Sequence, residues 1–183
     1  MRTFFLLPAS LASLVLAQAA SPPSVYILMP SNPALTAVSS ALNTLGYSYS
    51  EITASSNELG LDPNTYAVLR AGTMSYRNIS RDNPSARFIL PAGKTGDGSN
   101  SWLDAFFREQ QVADDLGTGS SAESIRAFFA EMEHAGQGAS QLLELDVFAR
   151  GSHDQAQTWV ALCDFLGLGY SVVERLKLWR FPQ

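Results

Sequence analysis

The run Ser24-Val25-Tyr26-Ile27-Leu28-Met29, ended by Pro30, does most to fix what this chain can become. It is apolar at successive positions, so it cannot put one face in water, and it reads as a strand buried on both faces. Ser31 or Asn32 can cap a helix there, with Pro33 pre-set for its first turn, and Leu35, Val38, Leu42 and Leu45 recur at helical spacing up to Gly46. A buried strand feeding a helix through a tight turn belongs to α/β architecture.

The rest of the chain repeats that alternation. Tyr47 to Ile52 reads as a short strand, Tyr66-Ala67-Val68-Leu69-Arg70 as another, and Arg87-Phe88-Ile89-Leu90 as a third, stopped by Pro91-Ala92-Gly93. Lys94 to Asn100 is loop chemistry. From Ser101 a helix carries Trp102, Ala105, Phe106 and Val112 and breaks at Leu116-Gly117-Thr118-Gly119. A second, capped by Ser120 or Ser121, has Ile125, Phe128, Phe129 and Met132 as its apolar face. Gln141 to Val147 returns to strand, and Gln155 to Leu166 is an amphipathic helix closed by Gly167. The pattern predicts an α/β fold with a mainly parallel sheet. In the tail, Tyr170 to Gln183, Trp179 and Phe181 mix with Arg175, Lys177 and Arg180, reading as a strand or extended arm that packs its aromatics onto the domain, or as a partner-binding arm.

Residues 1–19 stand apart. Arg2, the apolar stretch from Phe4 to Leu16 and the small-residue site Ala17-Gln18-Ala19 are the three regions of a secretory signal, leaving 20–183 as a single domain. No later stretch is long and apolar enough to span a bilayer. Asn78-Ile79-Ser80 is a glycosylation sequon, with Asn78 the acceptor, whereas Asn83-Pro84-Ser85 is excluded by its proline. The 183-residue chain holds one cysteine, which rules out an internal disulfide framework. That residue, Cys163, lies in the apolar run Trp159-Val160-Ala161-Leu162-Cys163 with no flanking cation, as a small buried hydrophobe would. A formal charge of −5 gives no broad electrostatic footprint for nucleic acid or an anionic membrane.

Three segments carry a likeness: Val25 to Pro30 with the helix ending Ala41-Leu42-Asn43-Thr44-Leu45-Gly46-Tyr47; Asn83 to Leu90 followed by Ser101-Trp102; and Gln141 to Val147 with Trp159 to Gly167. With these in order the chain resembles the fungal branch of the P-loop sulfotransferase-like family. The resemblance implies a three-layer P-loop-type domain, a central sheet flanked by helices, and sulfuryl transfer from PAPS (3′-phosphoadenosine 5′-phosphosulfate). Such transfer needs N–H groups at a helix N-terminus to hold the phosphosulfate, and a cation to stabilise the departing oxygen.

The family supplies these with Lys or Arg, Gly and then Ser or Thr between first strand and first helix. Here the loop is Ser31-Asn32-Pro33-Ala34-Leu35-Thr36: the basic residue is absent, Pro33 or Ala34 stands at the glycine position, and Thr36 alone is kept. Where the family has an Arg for the 3′-phosphate, this chain has Pro91-Ala92-Gly93-Lys94, so Lys94 would act as a point charge without a bidentate fork. The family serine in the next helix is Ala105, with Ser99 and Ser101 nearby. The resemblance thus implies Thr36, Lys94 and Ser101 as donor-binding candidates.

Other constellations say less. His134, after Glu131 and Glu133, reads as a solvated helix end or as a base for an acceptor hydroxyl. With His153 it is one of only two histidines, and with no cysteine pair a structural zinc site is not expected. Contiguous Ser152-His153-Asp154 is not evidence for a triad, because side chains adjacent in sequence rarely face each other, and Asp114-Asp115 reads as a solvated pair near a helix end. No nucleophile elbow, nicotinamide fingerprint or intact Walker motif occurs.

The expectation is a secreted, non-catalytic binding or interaction protein with no cofactor and an unknown protein or small-molecule partner. The alternatives are a divergent PAPS-dependent sulfotransferase acting on a hydroxyl acceptor in the secretory lumen, or an accessory factor for small-molecule or peptide maturation. An enzyme should show a concave site near Pro30 and Leu90, lined by Lys94, Arg70 or Arg77. A binding protein should instead expose an aromatic patch from Trp179 and Phe181.

Overall fold

Five strands, all parallel, form one sheet in the order β2-β3-β1-β4-β5. In the computed structural model, which describes residues 22–28, 32–52, 61–69, 75–92, 122–135, 140–149 and 151–182, they are β1 (Val25–Leu28), β2 (Ser48–Tyr49), β3 (Thr65–Leu69), β4 (Arg87–Ala92) and β5 (Leu142–Asp146). Five helices accompany them: α1 (Asn32–Thr44), α2 (Tyr76–Asp82), α3 (Ala122–His134), α4 (Ser152–Phe165) and α5 (Tyr170–Leu176). β1 is buried at every position and lies between β3 and β4, as its unbroken apolar run requires.

The chain leaves β1 in one direction, through α1 to β2 at the edge, and then crosses back through β3, α2 and β4 to β5. Parallel crossovers are almost always right-handed, so reversing direction moves the connecting helix to the other face. The two cores follow suit. Val25, Ile27, Ile89 and Leu145 point to one face and pack with α1, α4 and α5; Tyr26, Leu28, Phe88 and Leu90 point to the other and pack with α2 and α3. The result is three layers: helix, sheet, helix.

Both glycine stops hold. At the end of α1 the Gly46 amide donates to the Asn43 carbonyl and the Tyr47 amide to Leu42, with Gly46 at φ 90°. At the end of α4 Gly167, at φ 72°, donates to Asp164 and Leu168 donates to Cys163. These are paired Schellman bonds that close orphan carbonyls. α5 ends in the same way, Lys177 to Glu174 and Leu178 to Val173, but with Lys177 in the left-handed conformation at φ 53°.

Three expectations need correction. β4 runs through Pro91 and Ala92, paired with Leu145 and Asp146, rather than stopping at Leu90. Arg87 donates to the β1 side and Phe88 to the β5 side, so by alternation the amide Pro91 lacks would face β1, beyond the last β1–β4 pair, Ile27 with Ile89. The Arg87-to-Ser24 register puts the Leu28 carbonyl opposite that missing amide, so the β1–β4 ladder ends at Ile89 while the β4–β5 ladder runs on to Ala92. The tail is not a strand or a wholly extended arm: Tyr170–Leu176 is helical because Val173 faces the core and the Schellman turn tucks Leu178 beside it. α2 was not foreseen, although Tyr76, Ile79 and Ser80 form its buried side. The signal residues 1–19 and the helix expected from Ser101 lie outside the described residues, as do Ser120 and Ser121.

Candidate functional site

In open parallel sheets ligands collect beyond the carboxyl ends of the strands, where neighbouring strands send their connections in opposite directions. Here that switch point falls between β1, which connects to the β2 edge, and β4, which connects to β5. It is bordered by Leu28, Ala92 and the start of α1. Lys94, Ser101, Ser99, Ala105, Pro30 and Arg70 lie outside the described residues. Thr36 is exposed on the second turn of α1.

The described residues at this end do not fit the donor. α1 carries no cationic side chain from end to end. Pro33, near its start, has no N–H to offer a phosphosulfate, and Ala34 is buried against the sheet rather than leaving a glycine-sized opening. No chemical step can be derived for PAPS from these groups.

His134 is not beside Thr36. Arg126 of α3 reaches Glu144 in the middle of β5, whereas the Phe129 ring, one turn later, packs at a tilt with its centre 5.0 Å from that of Phe88, whose partner Leu142 begins β5. The helix therefore descends toward the amino ends of the strands, and its last residue, exposed His134, lies there, at the far end of the sheet from Thr36. His153 and Asp154 form a loose 3.8 Å pair on the exposed start of α4. No group of three metal-ligating side chains occurs among the described residues.

Cys163 is fully buried, and burial pushes its thiol pKa up, which removes thiolate reactivity. Burial likewise pushes the Tyr47 hydroxyl up to about 12, opposed by Arg87 and reinforced by Cys163. Among the described residues the Tyr47 hydroxyl and Arg87 Nε have no hydrogen-bond partner, while the Arg87 guanidinium lies 5.4 Å from the centre of the Phe165 ring.

Two surface features hold unspent chemistry. Between α2 and α3 is a groove of about 410 Å³ lined by Arg77, Arg81, Phe128, Glu131 and Met132 among others. At the C-terminal segment Tyr170, Leu176 and Trp179 are 52%, 42% and 51% exposed, three of the four large apolar side chains exposed among the described residues. Phe181 does not join them. It is 4% exposed and packs at a tilt, ring centres 5.0 Å apart, against Trp159, whose indole N–H donates to the Arg180 carbonyl at 2.9 Å.

Compared with known proteins, the chain matches no family model, no curated protein and no solved structure. The site must be read from its own residues.

Sequence reasoning placed Arg77 at the carboxyl-end crevice and gave Arg81 no role. The structure sets both on α2, in the groove against α3. The signal was present in the i, i+4 spacing of Arg77 and Arg81 and in the apolar face of α3. What hid it was the missing helix assignment for 76–82.

No described helix is long and apolar enough to cross a membrane. The single cysteine leaves no disulfide within the chain.

Proposed function

We propose that this is a secreted, sulfotransferase-like scaffold that works as a binding or interaction protein rather than as an enzyme. The observation that carries the reading is the C-terminal segment. Its three exposed apolar side chains are interleaved with Arg175, Lys177 and Arg180 against one acid, Glu174, on a chain whose net charge is −5. Tryptophan and arginine are enriched where proteins hold partners, and an exposed apolar cluster rimmed by charge marks such a surface. The buried Phe181 anchors the segment, so Trp179 is presented from a fixed backbone. The lack of a cation along α1 supports the loss of sulfuryl transfer, because stabilising the leaving charge is usually the largest catalytic contribution.

Secretion rests on residues 1–19. Asn78 is exposed on α2 and has room for a glycan, whereas Ser80 of its sequon is buried and hydrogen-bonded to Gln141. Attachment would therefore precede folding.

The divergent PAPS-dependent enzyme is favoured by one observation, the helix that opens directly after β1 at the switch point. The test combines two measurements on the secreted protein. Incubation with radiolabelled PAPS and a panel of hydroxyl acceptors should give no transfer. A photoreactive amino acid replacing Trp179 should capture a defined component of the secretory pathway or extracellular fluid that the same group at Glu133 does not. Sulfuryl transfer, or equal capture at both positions, would overturn the reading.

A further inference from the structure

The groove between α2 and α3 stands apart from the carboxyl-end crevice, on the outer surface of the aromatic face and toward the amino ends of the strands. Arg77 and Arg81 are one helical turn apart, and among the described residues neither pairs with a carboxylate. Arg126 on the facing helix, by contrast, makes a bidentate pair with Glu144 at 2.7 and 3.0 Å. The Arg77 guanidinium is held over two rings, 5.5 Å from the Phe128 centroid and 5.8 Å from that of Tyr76, and its Nε makes a long 3.4 Å contact to the Tyr76 hydroxyl. With Nε toward the Tyr76 hydroxyl, the two terminal NH2 groups make no carboxylate pair among the described residues and can meet an anion.

The lining adds selectivity. Phe128 and Met132 supply an apolar wall, and Glu131 subtracts one charge from the two arginines. A net single positive charge suits a monoanion better than a dianion. The volume of about 410 Å³ lies within the ~300–1,000 Å³ usual for small-molecule sites.

We infer that this groove is a binding site for a small amphipathic organic monoanion, whose carboxylate or sulfonate pairs with Arg77 and Arg81 and whose ring or alkyl body lies on Phe128 and Met132. The inference does not depend on the proposed loss of catalysis, because none of these residues belongs to the donor crevice.

Calorimetric titration of the secreted protein with 2-naphthoate and 2-naphthalenesulfonate should give saturable one-to-one binding. The double variant Arg77→Gln/Arg81→Gln should weaken it by about tenfold or more. Glu131→Gln should tighten it, which keeps the test open if the double variant folds poorly. Asp164→Asn, on the α4 layer across the sheet, should leave it unchanged. The neutral isostere 2-naphthamide and inorganic sulfate alone should each bind far more weakly. No saturable binding, equal binding of 2-naphthamide, equal binding of sulfate, or indifference to both groove variants would each overturn the assignment.

Discussion

The two helical layers flank the same sheet and use it differently. On the layer of α1, α4 and α5, helix ends close with Schellman turns, Trp159 takes both a ring partner and a carbonyl, and the tail folds back to bury Leu178 and Phe181. On the layer of α2 and α3 the core is a cluster of aromatic rings, Tyr26, Tyr76, Phe88, Phe128 and Phe129, yet among the described residues two arginines outside it have no carboxylate partner. The first layer ties its tail down through buried groups, while the second carries the arginine-lined groove, so stability and small-ligand binding should respond to different residues.

Breaking the first layer should have the largest effect. Trp159→Ala removes a fully buried indole, its tilted ring contact with Phe181 and the bond to the Arg180 carbonyl, and should cost about 3–5 kcal/mol in urea unfolding. Trypsin should then cut the tail at Lys177 or Arg180 well before the rest of the chain.

Next comes pH. Tyr47 ionises near 10 in the unfolded chain and only at about 12 when folded, so its contribution is intact below pH 10 and lost as pH rises from 10 toward 12. Unfolding at pH 9 and pH 11 should differ by about 1.3 kcal/mol from this group, and Tyr47→Phe should flatten the difference.

The helix caps give a smaller, signed pair. Gly46→Ala meets no atom within 4 Å but forces a side chain to φ 90°, and should destabilise by about 1 kcal/mol. Lys177→Gly relieves the same strain at the end of α5 and should shift stability the other way by up to about 1 kcal/mol. Smallest is the partly exposed Arg126–Glu144 pair on the second layer, where Arg126→Gln should cost less than about 1 kcal/mol.

Legibility followed burial. β1 was readable because a strand between two neighbours and two helical layers must be apolar throughout, and α1 and α4 because glycines stop them at Gly46 and Gly167. Lys177 shows the limit of that signal: the same turn forms at the end of α5 without a glycine, held by Val173 and Leu178 in the core, and the α5 helix was taken for an extended arm. α2 was missed because a seven-residue helix shows its period over barely two turns. Pro91 is misleading in sequence because a proline ends only the ladder its amide would have fed: pairing with β1 stops at Ile89, whereas pairing with β5 continues through Ala92. Among site residues, Thr36 and His134 were reasonable one at a time. Only the topology shows that they lie at opposite ends of the sheet, and only the packing of two helices separated by forty residues of sequence makes a groove from Arg77 and Arg81.

The comparison between layers is tested most directly by an amide spectrum of the ¹⁵N-labelled protein, titrated first with adenosine 3′,5′-bisphosphate and then with 2-naphthoate. The account expects no saturable shift at Thr36 or elsewhere in α1 with the bisphosphate, and saturable shifts confined to 76–82 and 122–135 with 2-naphthoate. Saturable bisphosphate shifts at the start of α1, with α2 and α3 silent to 2-naphthoate, would place the working site at the carboxyl ends of the strands and contradict it.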